Sequence, residues 1–240
     1  MENTLIVALT RQSVLARQMD AISNNLANLN TSGFKSESMI FKEQVESTGK
    51  NQVISLVHDV AYFRDMSEGP LTNTNNPLDM AIRGDGYFAV ETGEGQRYTR
   101  HGVFQLNNQG QLVTSQGNPL LGAGGAPITV PPNASNIIVA RDGTISADAL
   151  EIGRIEVFTF ENPAALSKIG NSLYEAKGQE PQATRDSDVV QGMVEGSNVN
   201  GVAEMTRMID TVRGYQAASK LADEEHRRIL DAIDTLVAES

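Results

Sequence analysis

The sequence predicts an α+β protein in which a mainly antiparallel β-domain is inserted into a discontinuous helical domain formed by both chain ends. Apolar residues recur at steps of three and four in both terminal segments, as they do along one face of an α-helix. Gly, Asn and Pro divide the middle into short strand-like runs. We therefore predict a terminal helical domain over 1–33 with 199–240, extended connecting segments over 34–80 with 177–198, and a β-domain over 81–176.

The amino-terminal segment is predicted to be a helix with a nearly unbroken heptad seam. Apolar or small residues follow one another at steps of three and four, with Gln12 at one of the positions, as in a coiled coil. Thr31-Ser32-Gly33 then supplies a stop, because glycine readily takes the left-handed conformation that ends a helix. The seam residues predicted here are Leu5, Leu9, Ala16, Met19, Ile22, Leu26 and Leu29.

The carboxyl-terminal segment repeats this pattern with a more polar middle, and Asn198 and Asn200 are candidate N-cap residues before it. Each helix has apolar residues on one side only, so each must bury one apolar stripe. The simplest partner for that stripe is the helix at the other end of the chain. A stripe also remains for neighbouring molecules, and we predict that the two seams form an assembly interface. The seam residues predicted in this segment are Val202, Met205, Ile209, Val212, Ile229, Ile233 and Leu236.

Between the helices, the sequence changes from a region without a period to one rich in short strands. Residues 34–80 show no sustained periodicity, whereas later strand-like runs are separated by turn residues. Asn107-Asn108-Gln109-Gly110 and Arg141-Asp142-Gly143 favour hairpin connections, since Asn, Asp and Gly tolerate positive φ. The pattern is typical of a compact antiparallel β-domain.

Composition excludes several classes of function. The formal net charge of −11 and pI near 4.7 disfavour nucleic acid and an anionic membrane surface, which both attract clustered Lys and Arg. The absence of cysteine excludes disulfides, thiol catalysis and thiolate metal sites. The apolar run over residues 5–9 is too short for a signal-peptide core or a bilayer span, so we expect no membrane insertion. Composition alone therefore favours a cytoplasmic protein.

No motif predicts a catalytic, cofactor or metal site. Gly84-Asp85-Gly86-Tyr87-Phe88-Ala89 fits a dinucleotide-binding pattern, but strand-like alternation follows it where that pattern requires a helix, so we predict a tight turn and no nucleotide. The three histidines, at 58, 101 and 226, lie far apart in the sequence, and Glu224 and Glu225 point apart on a helix. A nucleophile elbow is also absent. We expect no cofactor and no small-molecule substrate.

Several segments resemble the signatures of flagellar rod and hook proteins. Residues 18–28 followed by Thr31-Ser32-Gly33-Phe34-Lys35 are similar to the amino-terminal signature of that family, and residues 76–88 are similar to a second one that continues through 98–114. Gln191-Gly192 and the run Glu195-Gly196-Ser197-Asn198-Val199-Asn200 resemble the carboxyl-terminal signature. The resemblance covers nearly the whole chain in the same order.

This resemblance implies a structural, non-enzymatic subunit of the bacterial flagellar basal body. The short chain and small β-domain are closer to rod than to hook subunits, and segments near Arg11 and over 64–71 most resemble proximal rod proteins. Distal rod proteins, or another hook-family axial subunit, are the alternatives. The expected partners are copies of itself, other rod subunits and the flagellar type III export apparatus. The expected assembly is a helical tube that spans the periplasm and transmits motor torque, reached without a cleaved signal peptide.

Two further classes compete with a structural subunit. One is a β-domain binding module on a coiled-coil stalk, which the aromatic content of 5% disfavours because such modules depend on aromatic anchors. The other is an enzyme, which the lack of a nucleophile and base pair disfavours.

Overall fold

A computed structural model describes residues 2–47, 53–132, 134, 136–184 and 186–238. The chain forms two compact units. Unit 1 contains Met1–Ala27, Glu37–Arg64 and Asn200–Ser240, and unit 2 contains Asn28–Ser36 and Asp65–Val199. Helices occur near both chain ends, and all strand pairings among the described residues are antiparallel. The predicted α+β class is therefore confirmed.

Unit 1 is built on two helices, α1 (Glu2–Ala27) and α2 (Gly201–Ala238). They pack against each other in antiparallel order, since Asn25 contacts Glu204 while Leu15 lies against Gly214. Asn200 is the N-cap of α2, as predicted, because its Oδ1 accepts a hydrogen bond from the Ala203 amide at 3.1 Å. The other candidate cap, Asn198, instead belongs to unit 2 and bonds to Ser36 and Asp65.

Unit 1 also contains a long hairpin, where the sequence analysis expected only a connecting segment. Strands β1 (Glu37–Ser47) and β2 (Val53–Arg64) pair along their length, with one register shift between Lys42 and Glu43, and both pack against α1. A two-stranded ribbon need not bury one face, so it can lack the alternation that reveals a strand. The neighbouring residues Tyr62 and Phe63, on opposite faces, are 61% and 51% exposed.

Unit 2 is a β-structure whose main sheet has six strands, in the order β13-β14-β6-β5-β12-β15. A second sheet has the order β11-β10-β9, and β3, β4 and β7 pair with β17, β16 and β8. A short 3₁₀ helix spans Pro163–Ala165. The strands are β3 (Leu71–Asn73), β4 (Met80–Arg83), β5 (Tyr87–Thr92), β6 (Gly95–Thr99), β7 (Phe104–Leu106), β8 (Leu112–Thr114), β9 (Ile137–Val139), β10 (Thr144–Ala147), β11 (Leu150–Arg154), β12 (Val157–Thr159), β13 (Ser167–Gly170), β14 (Leu173–Glu175), β15 (Gln182–Thr184), β16 (Asp188–Gln191) and β17 (Met193–Glu195).

The core of unit 2 consists of an aliphatic cluster and an aromatic cluster. The first contains fully buried residues such as Phe88, Leu120 and Ile145. In the second, Tyr87, Tyr98, Phe160 and Tyr174 pack edge to face at centroid distances of 4.8–5.8 Å. The Gly and Asn turns between the strands allow these short strands to reverse direction and bury their apolar faces together.

The β-structure extends beyond the boundaries 81 and 176 that the sequence predicted. Residues 177–198 were expected to be an extended return, but β16 pairs with β4 and β17 with β3, and Val189 on β16 is 2% exposed in the core. These strands were missed because each has only three or four residues and a partner more than 100 residues away.

Gly84 and Gly86 form the turn between β4 and β5. Their φ angles are +95° and +145°, and a Cβ at Gly86 would lie 2.2 Å from Cγ1 of Val157. The residues after Gly86 form strand β5, so the helix that a dinucleotide-binding loop requires is absent from this described segment. The predicted tight turn is confirmed.

Candidate functional site

The predicted seam on α1 largely faces the interior of unit 1. Ile22 is 4% exposed, and the side chains at positions 5, 16, 19 and 26 are half-buried. Leu9 is 50% exposed and lies off the buried face. Leu29 is 37% exposed and follows the end of the helix, in unit 2. Ala8 and Asn25, which the sequence analysis did not assign to the seam, are buried.

On α2, the buried face is not the apolar stripe that the sequence predicted. The buried residues recur every seven positions at Glu204, Thr211, Ala218 and Glu225. Since successive helical residues are about 100° apart, this face lies nearly opposite the stripe that begins at Val202. In the predicted set, Val202, Met205, Ile209 and Ile233 are 74%, 51%, 52% and 50% exposed, Val212 and Ile229 are half-buried, and Leu236 lies outside the described side chains.

We call Val202, Met205 and Ile209 the outward stripe. Their spacing of three and four residues places them on one side of the first turns of α2. Isolated exposed apolar residues are common on proteins, but three in succession on one helix face form a surface that a partner can cover.

A buried ionic joint lies in unit 2, where the sequence analysis predicted no site. Nζ of Lys35 is 2.6 Å from Oε1 of Glu195, and Nη1 of Arg100 is 3.2 Å from Oε2 of the same carboxylate. All three side chains are at most 4% exposed. With two cations and one carboxylate, the joint has a net charge of about +1 inside the protein. A buried cluster of charges is stable only where backbone amides and carbonyls make the hydrogen bonds that its side chains do not make with one another.

Backbone groups from separate segments complete the joint. The Gly69 amide donates to Oε1 of Glu195 at 3.0 Å. Lys35 also donates to the Ser67 carbonyl at 2.6 Å, and Arg100 donates through Nη2 to the Gly84 carbonyl at 2.8 Å. Burial lowers the pKa of Lys35 below its usual value, and the Glu195 carboxylate partly opposes that effect.

The joint brings together two of the segments that carry the family resemblance. The segment that ends at Lys35 meets the one that begins at Glu195, and the Gly33 amide also donates to the Glu195 carbonyl at 2.8 Å. Glycines allow this close approach, because a Cβ at Gly69 would lie 2.1 Å from the Gly196 carbonyl oxygen. The sequence offers only a charged residue within two positions of a glycine in each segment, and this does not identify a pair 160 residues apart.

The described residues contain no group of three or more His, Asp or Glu side chains arranged to hold a metal ion. In the same part of the chain, neither helix is long and apolar enough to cross a membrane. Two arrangements in the described residues stand out, the outward stripe of α2 and the buried ionic joint of unit 2.

Comparison with known families agrees with this description. Residues 5–35 match the family model described as flagella basal body rod protein, 81–147 match flagellar hook protein FlgE/F/G D1 domain, and 190–227 match flagellar basal body rod FlgEFG protein C-terminal.

Curated relatives match over most of their length. Flagellar basal-body rod protein FlgF of Caulobacter vibrioides is 36% identical over 98% of both chains, and FlgF of Mesorhizobium japonicum is 36% identical over the whole of both. The FlgG protein of Bacillus subtilis is 35% identical over 85% of this chain and 88% of its own.

These matches and the fold define a structural subunit of the bacterial flagellum. The chain belongs to the flagellar basal-body rod protein family. Within the family it is of the FlgF type, since the FlgF relatives named above match it nearly end to end and the FlgG relative does not. The predicted family, rod function and basal-body location are confirmed.

Proposed function

We propose that this rod subunit polymerises with copies of itself and with other rod subunits through the outward stripe of α2. The resulting helical tube would cross the periplasm and transmit motor torque. The observation that carries the proposal is the exposure of Val202, Met205 and Ile209 on one face of a helix whose opposite face is already buried. The predicted seam therefore divides into a face used within the subunit and a face available to a neighbour.

The free energy gained by burying the outward stripe is of the size expected for assembly into a polymer. Full burial of a Val, Ile or Met side chain stabilises by about 1.5–3 kcal/mol, so covering side chains that are half to three-quarters exposed gives about 1–2 kcal/mol each. Such contacts are weak for an isolated pair of molecules, but they add up in a polymer in which every subunit has several neighbours. A stripe of this size also leaves the free subunit soluble.

We also propose that the chain has no catalytic activity and reaches the rod through the flagellar type III export apparatus. Its family membership supports this route, and its sequence contains no cysteine whose disulfide would hold the exported chain folded. The three charges of the buried ionic joint serve the fold, because each is bonded to other protein groups and is at most 4% exposed.

A substitution at the centre of the outward stripe tests the polymerisation proposal. We expect Met205→Asp, expressed in a strain lacking its own copy of the gene, to abolish incorporation into purified basal bodies and swimming in soft agar. Burying an unpaired carboxylate at an apolar contact costs several kcal/mol. Because Met205 is exposed in the subunit, the purified variant should keep the circular dichroism spectrum and melting temperature of the parent.

Met205→Leu is the matched control, since it keeps an apolar side chain of similar size at the same position. It should assemble and swim normally. Normal incorporation of Met205→Asp would show that the stripe is not an interface between subunits.

A further inference from the structure

One buried side chain of unit 1 connects three of its elements. Asn25, near the end of α1, is 1% exposed. Its Oδ1 accepts a hydrogen bond from the Glu37 amide at 3.0 Å, and its Nδ2 donates to the Glu37 carbonyl at 2.8 Å. The side-chain amide thus makes a pair of hydrogen bonds to the backbone of Glu37, at the start of β1, like the pair that a residue of a neighbouring strand would make. The same Nδ2 lies 3.4 Å from Oε2 of Glu204 on α2.

Glu204 is the matching residue in the first turn of α2. It is 4% exposed, and its other oxygen, Oε1, accepts a hydrogen bond from Arg207 at 2.6 Å. The Arg207 side chain is 58% exposed, so it reaches the carboxylate from the solvent side. On the buried side, Asn25 donates the hydrogen bond to Glu204.

The other buried residues of α2 do little to specify one alignment of the helices. Thr211, Ala218 and Glu225 repeat at the same seven-residue spacing, and Glu225 has an arginine three residues later, at 2.7 Å, as Glu204 does. A shift of α2 by whole heptads would present a similar face to α1. Ala218 on α2 and Ala8 on α1, both buried, are also too small to interlock as large side chains do. A single buried polar contact is known to select register in such a seam.

We propose that Asn25 and Glu204 form a latch that sets the register of α1 against α2 and holds β1 to the same end of α1. Through that register the latch determines where along α1 the outward stripe of α2 lies. This last consequence rests on the proposed function, whereas the latch itself does not. Asn25 is a positioning residue, because it acts through the helix pair.

Register can be measured by cross-linking, because the chain contains no cysteine. A Cβ at Gly214 would lie 3.5 Å from Cδ1 of Leu15, so Leu15→Cys with Gly214→Cys should react rapidly with a short bifunctional thiol reagent. Leu15→Cys with Leu221→Cys reports a shift of one heptad, since residue 221 lies about 10 Å further along the helix axis. Both pairs are introduced into the full-length chain.

Asn25→Asp is the decisive variant. The new carboxylate cannot donate to the Glu37 carbonyl, and it faces the Glu204 carboxylate in a buried position. We expect the rate of cross-linking between 15 and 214 to fall about tenfold, as one pK unit of interaction energy would produce. Adding Glu204→Gln should restore most of the rate, because the glutamine amide can donate to Asp at position 25. Glu204→Gln alone should have little effect.

Ser23→Asp is the matched control, since it adds the same charge at an exposed position of the same helix. The near-ultraviolet circular dichroism of Tyr87, Tyr98 and Tyr174, which are buried in unit 2, shows whether unit 2 stays folded in each variant. A fall in the rate of cross-linking between 15 and 214 in Asn25→Asp, restored when Glu204→Gln is added, supports the latch. A parental rate in Asn25→Asp, a loss without rescue, or an equal loss in Ser23→Asp would each overturn it.

The assay uses the purified subunit and requires no assembly. Failure of the latch would therefore leave the polymerisation proposal untouched, and failure of Met205→Asp to block assembly would leave the cross-linking result unchanged.

Discussion

Replacing Glu195 with glutamine should destabilise unit 2 strongly, and more than replacing Lys35 with methionine. The carboxylate accepts hydrogen bonds from Lys35, Arg100 and the Gly69 amide, and it is 1% exposed. Glutamine has almost the same shape, so the change removes charge without creating a cavity. Its Oε1 can keep the bonds from Lys35 and Gly69, but its Nε2 would point donor hydrogens at the guanidinium of Arg100.

The magnitude follows from the charges that remain. Glu195→Gln removes the carboxylate that is bonded to both buried cations, and removing one partner of a buried ion pair costs about 3–5 kcal/mol. This is a large part of the 5–15 kcal/mol by which native domains are typically stable. At about 3–4 °C for each kcal/mol in a unit of this size, the melting temperature should fall by about 9–20 °C.

Lys35→Met is the informative comparison. It leaves Arg100 and Glu195 as a balanced pair, and the Ser67 carbonyl keeps a donor in Asn198 at 3.2 Å. We therefore expect it to lower the melting temperature by less than half as much. The assay is thermal unfolding followed by near-ultraviolet circular dichroism of the buried tyrosines of unit 2. A fall of less than about 3 °C in Glu195→Gln, or a larger effect in Lys35→Met, would refute the charge argument.

Two further predictions concern the same unit. Gly102→Ala should destabilise it by several kcal/mol in thermal unfolding, because the added Cβ would lie 1.6 Å from the Met80 carbonyl oxygen, whereas Gly93→Ala, with no atom within 4 Å, should be neutral. Equal melting temperatures would contradict this. Burial lowers the pKa of His101, partly opposed by Asp79, so the unfolded chain binds the proton more tightly and stability should decline as pH falls below about 6.5. In melting curves between pH 7.5 and 5, His101→Gln should lose less stability than the parent; parallel losses would exclude His101 as the cause.

Local patterns in the sequence were sufficient to place both helices. The observed end of α1 at Ala27 lies four to six residues before the stop predicted at Thr31-Ser32-Gly33, and Gly33, although its φ is +67°, is not the residue that ends the helix. Asn200 caps α2 as expected. These features depend on a 3.6-residue period and on side chains that bond to backbone within three residues, so they can be recognised without knowledge of the tertiary structure.

Features that depend on distant residues could not be predicted in the same way. The joint places Lys35 against Glu195, and β16 and β17 pair with strands far earlier in the chain. Strands of three or four residues carry too little periodicity to be recognised without their partners. The β1–β2 hairpin escaped prediction for a different reason, because its exposed residues Tyr62 and Phe63 follow no alternation between a buried and a solvent face.

The division of α2 into two faces shows why hydrophobicity alone does not identify the side of this helix that packs within the subunit. The antiparallel packing of α1 and α2 brings Leu15 to within 3.5 Å of where a Cβ would lie on Gly214, an approach that small residues permit. The buried face is accordingly made of Thr211, Ala218 and bonded Glu204, while the larger apolar Val202, Met205 and Ile209 remain outside. The apolar residues of a helix include those that are buried within their own subunit and those that are buried against a neighbouring subunit. If the outward stripe is an interface in the rod, the apolar residues of α2 that are exposed in the isolated subunit become buried in the assembled polymer.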